Sequence, residues 1–476
     1  MTSSDDQAAQ ELKAFFKSVF VIEDSKEMPE FTDRTKNGST LSEFSVTPEE
    51  VCRKLEGLKS DKSPGPDSLH PAMLKKLAGV LCTPLATLFN LSLKSGQLPD
   101  DWKCANVTAI HKKGNRSDVG NYRPVSLTSV PCKIMESLIR SQMLDFLDSQ
   151  AQLAHEQHGF THGRSCLTNL LESLEEWTRS LDDGFGLDIV FLDYQKAFDT
   201  VPHKRLIKKL RSYGINGNLL KWIEEFLIGR KMRVVLNESV TDWEKVLSGV
   251  PQGSVLGPLL FLLYVNDIPE VVKCSVRMFA DDTKIWQVIR DEKDCLKLQE
   301  DLQSLEAWSE KWLLRFNAAK CKIMHMGRDS GAKYHLYDSN ELKELKITEV
   351  ERDLGILVSK HLRWGEQCGK AAGKAMSVLG MIRRTFEMLD EKGFILLYNT
   401  YVRPHLEYCV QAWSPYLKKD IECLEKIQRR ATKMIFGYSK LTYNERLKRL
   451  KLFTLEQRRE RGNLIEVFKI LTRERG

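Results

Sequence analysis

Apolar and polar positions change period several times along the chain, and each change marks an element. Val276, Met278 and Ala280 fall at alternate positions, and Ile285 and Val288 resume an apolar pattern beyond Asp281-Asp282. That predicts strand, tight turn, strand, with two carboxylates at the tip. Upstream, Ile189-Val190-Phe191-Leu192 is an unbroken apolar run ending at Asp193, as expected of a strand buried on both faces. Other segments have helical period. Ile134, Leu138, Ile139, Met143 and Leu147 share one face of a helix predicted over 130–147. Cys295, Leu298, Leu302, Leu305, Trp308 and Trp312 also recur at helical spacing. Both tryptophans are therefore expected in a core, not on a base-stacking platform.

Capping and turn residues divide the rest. Thr47-Pro48-Glu49-Glu50 is a helix start, with Thr as cap, Pro in the first turn and Glu third from the cap; this helix is expected to reach about Leu58. Residues 60–67, Ser-Asp-Lys-Ser-Pro-Gly-Pro-Asp, read as a loop before a helix over 71–81. Residues 105–111 read as a strand, Lys112-Lys113-Gly114-Asn115 as a hairpin tip, and 121–127 as the return. A helix is expected over 166–177, and beyond Trp364 the pattern is helical throughout. Residues 1–45 read as a leader with one amphipathic helix over 8–21, built on Leu12, Phe15, Phe16, Val19 and Phe20.

Composition narrows the class. With 476 residues and 42% hydrophobic content the chain can build two to four units with their own cores. The longest apolar run, 255–265, is interrupted by Gly257 and Pro258 and is about half what a membrane span needs. The acidic start Met1-Thr2-Ser3-Ser4-Asp5-Asp6 lacks the basic and apolar regions of a signal peptide. Eleven cysteines, odd in number and never spaced Cys-x-x-Cys, point to reduced thiols in an intracellular protein rather than a disulfide framework or a zinc ribbon. The net charge is +7, but residues 411–476 alone carry 17 Lys+Arg against 8 Asp+Glu. A basic C-terminal region on a balanced chain suggests a nucleic-acid surface; Arg429, Arg430 and Lys433, on a helix expected over 425–436, are its densest cluster.

The acids carry the chemistry. Asp281-Asp282 alone is also ordinary turn chemistry. However, a strand buried on both faces has no packing reason to end in the carboxylate of Asp193. If that strand pairs beside the hairpin, three carboxylates converge at one edge. Adjacent like charges then require a cation, and oxygen ligands of this hardness favour Mg²⁺ or Mn²⁺. Two such ions about 3.5–4 Å apart activate an attacking hydroxyl and stabilise a leaving oxygen. A basic hairpin tip with Arg123 nearby is suited to phosphate oxygens; whether Lys112 or Lys113 points inward is open. Gly249, Gly253 and Gly257, just before an apolar helix, allow close backbone approach to a nucleotide. His158 and His162 have no third ligand at a metal-binding spacing.

These stretches together resemble the reverse transcriptase of non-LTR (LINE-type) retrotransposons, most closely the jockey-like group. Leu192-Asp193 through Ala197-Phe198-Asp199 resembles the family's first motif, Ser248-Gly249-Val250-Pro251-Gln252-Gly253-Ser254 its second, and Phe279-Ala280-Asp281-Asp282 its third. The motifs come in the family's order, and the resemblance runs from about Ala14 to the end. It implies an α+β right-hand polymerase fold (fingers, palm and thumb) with an antiparallel palm sheet and a helical C-terminal region. The expected divisions are a leader over 1–45, fingers and palm over 46–362, and thumb with basic C-terminal region over 363–476. It implies RNA-directed DNA synthesis from deoxynucleotides on an RNA template and a DNA primer, with two Mg²⁺ (or Mn²⁺) held by Asp193, Asp281 and Asp282. By the same resemblance Lys113 and Arg123 contact the triphosphate, and Gln252 with Gly253 lies against nucleotide or template. Phe198 is the ring that excludes a 2′-hydroxyl, while Asp199 caps the helix starting near Pro202. Lys320, in Phe316-Asn317-Ala318-Ala319-Lys320-Cys321, protonates the departing pyrophosphate, and Leu354-Gly355 lies in the primer grip. Ala-Asp-Asp and Pro-Gln-Gly separate the chain from RNA-copying RNA polymerases. Family members carry an endonuclease ahead of the polymerase, for which there is no room before residue 50; the expectation is that this chain lacks it. The family's habit of priming on chromosomal DNA implies the nucleus, and no membrane partner is expected. The alternatives are an inactive or host-adopted relic that only binds nucleic acid, and a maturase-type enzyme, which needs a splicing domain after the thumb.

Overall fold

Two sheets and a helical C-terminal region organise the chain in the computed structural model, which describes residues 4–24, 28–36, 38–338 and 341–472. The strands in chain order are β1 (Cys104–His111), β2 (Tyr122–Thr128), β3 (Gly186–Leu192), β4 (Lys231–Leu236), β5 (Ser239–Val240), β6 (Glu244–Lys245), β7 (Ser275–Phe279), β8 (Asp282–Ile289), β9 (Lys322–Met326), β10 (His335–Asp338), β11 (Glu341–Glu344), β12 (Lys346–Ile347), β13 (Val350–Asp353) and β14 (Ile356–Ser359). One sheet runs β2-β1-β4-β5, with β6 also on β4. The other runs β12-β9-β3-β8-β7 and is antiparallel except for the β9–β12 pair. The fold is mixed α and β, as expected.

The centre of the second sheet explains the apolar run before Asp193. Val190 and Leu192 of β3 point into the core shared with the helices Val130–Ser149, Gly257–Val265 and Glu292–Trp312. Leu187 and Ile189 point the other way, into a core shared with the C-terminal helices. Strand period two thus sends successive residues to two different interiors, so no polar position is tolerated between them. Asp188 is the exception. It is buried, and accepts hydrogen bonds from Ser330 (2.8 Å) and Tyr334 (2.6 Å) while pairing with His325 (2.5 Å), whose imidazole is raised by that carboxylate against the cost of burial. Trp308 and Trp312 are buried, as their spacing predicts.

Most helices fall near their expected places. Thr47 and Glu50 form a reciprocal capping box at Pro48–Glu56. The helix expected over 71–81 is two helices, Pro71–Lys76 and Ala78–Ser95, and the second continues through Pro84 to end at Gly96. Burial of Ala86, Phe89 and Leu93 offsets the hydrogen bond that proline removes. The helix expected over 166–177 extends as Cys166–Asp182. Beyond Trp364 the longest helices are Gly365–Thr385, Lys418–Thr432 and Leu455–Leu471; the basic helix expected over 425–436 starts earlier and ends at Thr432, with Lys433 as its C-cap. Among the described residues no helix is long and apolar enough to cross a membrane. All eleven cysteines are unpaired.

The segment read as a leader is packed. Its helix, Asp5–Ser18, is capped by Ser4 and buries Ala9, Leu12 and Phe16 against Val107, Met232 and Val234 of the first sheet. Glu23 accepts the backbone N–H groups of Lys204 and Arg205 and pairs with the Arg205 guanidinium at 3.1 Å. Met1-Thr2-Ser3 of the acidic start, and residues 473–476 of the basic end, lie outside the described residues. Truncating a buried Phe removes transfer free energy and leaves a cavity. Phe16→Ala is therefore expected to lower the unfolding free energy by about 3–5 kcal/mol. Urea denaturation measures this, and a loss below about 1 kcal/mol would contradict the packing described.

Candidate active site

The hairpin β7–β8 turns on two residues, Ala280 and Asp281, because Phe279 pairs with Asp282. Ala280 has φ +56°, in the left-handed region that usually selects glycine. The segment 156–159 braces it from behind. Met278 N–H donates to Glu156 O and His158 N–H to Met278 O, both at 2.9 Å. Gln157 Oε1 accepts from the backbone N–H of Ala280 (3.0 Å) and of Gly159 (2.7 Å). A Cβ on Gly159 would lie 2.5 Å from the Ala280 nitrogen, so only glycine allows this approach. From sequence this segment is only a lead-in to a helix; the unexplained polar pair Gln157-His158 beside a glycine was its signal.

Asp193 reaches the same edge. Leu192 pairs with Thr283, which sets Asp193 beside Asp282. Its backbone is pinned on both sides, with Asn317 N–H donating to Asp193 O at 2.7 Å and Asp193 N–H facing Cys321 Sγ at 3.4 Å. That places Lys320 Nζ 3.6 Å from Asp193 Oδ1. Asp193, Asp281, Asp282 and Lys320 are thus brought together, as the sequence predicts. Burial pushes the Asp281 carboxyl up against the pull of Arg123 and Lys112. Asp282 is pushed up to about 6 by burial and by the charges of Asp281 and Asp353. After burial, Asp282 feels the carboxylates of Asp281 and Asp353 more than the ammonium of Lys112. Among the described residues no three His, Cys, Asp or Glu side chains are arranged to hold an ion by themselves.

The choice between the two lysines is settled by register. Ile110 pairs with Arg123, and Lys112 N–H donates to Asn121 O at 2.9 Å, so Lys112 shares the sheet face of Arg123. Burial and Arg123 lower its ammonium, while Asp193 and Asp281 pull it back up. Lys113, the lysine expected at the triphosphate, is exposed at the tip, as is Lys112.

The second motif clasps the turn after Asp193. Val250 N–H donates to Phe198 O (2.8 Å), and Ser248 Oγ donates to Asp199 O (2.8 Å) while accepting from Val21 N–H (2.8 Å). Gly249 has φ +90°, and a Cβ there would lie 2.7 Å from the carbonyl oxygens of Phe198 and Asp199. Gly253 (φ +108°) approaches Ser126 O equally closely, and Ser126 N–H donates to Gln252 O at 2.7 Å. Gln252 and Gly253 therefore dock the loop on β2, and the Gln252 amide donates to Asp199 Oδ1 at 2.8 Å. Asp199 does not cap the next helix. It lies within the short helix Ala197–Thr200, where burial pushes it up to about 6, and His203–Ser212 begins with no side-chain cap. Phe198 is half-buried and stacks on Phe261, with centroids 4.4 Å apart.

Leu354 (φ +43°) and Gly355 (φ +95°) form the two-residue turn of β13–β14. Tyr408 donates to Leu354 O at 3.0 Å, and Lys370 donates to Gly355 O at 3.2 Å. Asp353 is buried and bonded to the Lys284 ammonium. A cleft of about 110 Å³ between this hairpin and β8 is lined by Asp193, Asp282, Lys320, Arg352, Asp353 and Leu354, among others. Gln157, Gly159, Lys284 and Asp353 were not singled out from the sequence.

A proton follows from the raised carboxylates. Asp282 holds one up to about pH 6, whereas its ordinary value is 3.8. The folded state therefore binds more protons than the unfolded chain in that window, and this contribution to stability is lost as pH rises through about 6. In chelator, Asp282→Asn is expected to reduce the fall in Tm between pH 4 and 7 and to raise Tm at pH 7.5. Thermal unfolding across pH measures it; an unchanged slope in the variant would place the proton elsewhere.

Comparison with known proteins agrees with this geometry. Residues 110–381 match the family model described as reverse transcriptase (RNA-dependent DNA polymerase). The chain is 25% identical over 447 residues to the probable RNA-directed DNA polymerase from transposon X-element of Drosophila melanogaster, covering 90% of this chain and 49% of that protein. It is 28% identical over 412 residues to the RNA-directed DNA polymerase from mobile element jockey of the same organism, covering 82% and 44%. It thus spans about half the length of the curated relatives it matches. The chain belongs to the reverse transcriptase (RNA-dependent DNA polymerase) family, in its non-LTR, LINE-type branch.

Proposed function

We propose that the chain is the RNA-directed DNA polymerase of a non-LTR retrotransposon, adding deoxynucleotides to a primer 3′-hydroxyl on an RNA template. The observation that carries this reading is the convergence of Asp193, Asp281 and Asp282 at one sheet edge, with charge left over and Lys112 and Arg123 opposite. On this reading the sheet centred on β3 is the palm and the sheet of β1, β2 and β4 belongs to the fingers. The hairpin β13–β14 is the primer grip, and the helices from Gly365 are the thumb. The corresponding divisions are 46–362 for fingers and palm and 363–476 for thumb and basic region.

The donor set is all carboxylate and under-neutralised, which fits two Mg²⁺ (or Mn²⁺) held by Asp193 and Asp281 with Asp282 in support. When bound, such ions activate the primer hydroxyl and stabilise the leaving oxygen. The chain's own residues do the rest. Lys112 and Arg123 hold the β- and γ-phosphates from the fingers side, so the α-phosphorus faces the primer oxygen. That oxygen attacks, the bond to pyrophosphate breaks, and Lys320 gives the departing oxygen a proton. Asp193, 3.6 Å away, keeps the Lys320 ammonium aimed at the site. Gln252 and Gly253 fix the loop beneath the nucleotide. Lys419, Lys426, Arg429, Arg430 and Lys433 line a groove of about 540 Å³ between two C-terminal helices, a surface suited to duplex phosphates and sensitive to salt.

Primer extension on poly(rA)/oligo(dT) with Mg²⁺ and dTTP tests the reading. Losing a bridging carboxylate removes several kcal/mol of transition-state stabilisation, so Asp281→Ala is expected to reduce synthesis by about 10³-fold or more. Equal extension by parent and variant sinks the assignment. Duplex binding without extension by either, in Mg²⁺ or Mn²⁺, favours a protein that only binds nucleic acid. A second prediction concerns sugar choice. Removing the ring that stacks on Phe261 opens space beneath the sugar, so Phe198→Ala is expected to raise incorporation of UTP relative to dTTP by about 10-fold or more. An unchanged ratio would make Phe198 a packing residue only.

A further inference from the structure

The hairpin β13–β14 shares no backbone ladder with the sheet that carries the carboxylates. Beyond its chain link to β12, where Thr348 N–H donates to Ile323 O at 2.8 Å, side chains hold the two together. Lys284, on β8, lies on the same side of the strand as Asp282. It bonds to Asp353, the residue immediately before the Leu354-Gly355 turn. Both side chains are buried, and the Lys284 ammonium lies 5.2 Å from the Trp177 ring. A second rung, Lys322 to Glu351 at 2.7 Å, ties β9 to the same hairpin.

A buried ion pair is a poor device for stability, since an apolar pair of similar volume often serves as well. What it supplies is a fixed length and direction, because neither charge tolerates being left unpaired. Here that link runs from two residues beyond Asp282 to one residue before the turn. We infer that the Lys284–Asp353 pair is a positioning device that sets the primer 3′ end at its distance from the carboxylates. The inference rests on the polymerase reading above. Lys284 and Asp353 are positioning residues in this scheme; neither is required to touch the reacting atoms. The energetic scale comes from geometry: a displacement of about 1 Å at a reacting atom costs about 10²-fold in rate.

The test compares the full chain with Lys284→Met/Asp353→Leu, which replaces both charges by apolar groups, and with the single variants Asp353→Leu and Asp353→Asn. Circular dichroism reports folding, a labelled template–primer gives duplex Kd, and extension kinetics give kcat and the dTTP KM. The double variant is expected to fold and to keep duplex Kd and KM within about twofold, while kcat falls about 10–100-fold. Asp353→Asn, which keeps the shape and an acceptor for Lys284, is expected to recover most of the kcat lost in Asp353→Leu. A folded double variant with kcat within twofold of the parent overturns the inference. If the double variant does not fold, the single variants decide: a fall in kcat in Asp353→Leu at constant KM and Kd, largely recovered in Asp353→Asn, supports positioning, and any other result overturns it. A parent chain that makes no DNA defeats the polymerase reading itself, whereas a parent that does, matched by the variants, defeats the pair alone.

Discussion

Repulsion among three carboxylates at one sheet edge is the constraint around which the rest of the structure is arranged. Asp281 and Asp282 are adjacent in the chain, and Asp193 is brought beside them by the pairing of β3 with β8. Left to packing forces alone, such a cluster would protonate or be replaced. Its persistence depends on rigid supports that do not themselves neutralise it. Those supports are backbone hydrogen bonds: from segment 156–159 to the hairpin, from residue 317 to Asp193, and from the second motif to the turn after Asp193. A scaffold of neutral backbone groups holds charge in place without cancelling it.

The nearby cations make the same point. Lys284 is buried two residues from Asp282 and lies on its side of the strand, so it is the obvious counter-charge. Yet its hydrogen bond goes to Asp353, and Asp353 in turn pushes Asp282 upward. The carboxylate that looks compensated in sequence is therefore not. Lys320 is only 3.6 Å from Asp193 but is largely exposed, where an ion pair contributes little. Lys112 and Arg123 act on the site from another sheet, pulling the Asp281 carboxyl down against its burial without overcoming it.

Much of this was legible in the chain. The period-two strands, the hairpin tip, the apolar run before Asp193 and the capping box at Thr47 are local patterns, and local patterns survive folding. Residues whose role depends on register were not legible. Lys112 and Lys113 are equivalent in sequence; only the pairing of Ile110 with Arg123 distinguishes them. Asp199 was read as a cap because a helix follows it, but burial and the Gln252 amide claim it first. Lys284 and Asp353 lie 69 positions apart, and nothing local links them. The leader was misjudged for a related reason: its amphipathic helix was visible, but the sheet face that covers it is formed by residues about a hundred and more than two hundred positions later.

The left-handed residues link these observations. Ala280 and Leu354 both turn a strand back on itself without being glycine, a conformation that costs of order 1 kcal/mol or more at each. Each is over-determined by its surroundings, Ala280 by Gln157 and Gly159, Leu354 by Tyr408 and by its neighbour Asp353. A strained turn held from several sides has one position rather than several. The two turns flank the same cleft, one presenting the carboxylates and the other closing the opposite wall. The Lys284–Asp353 pair lines that cleft and joins its two walls, so the two turns, each held from several sides, are tied to one another through the protein itself.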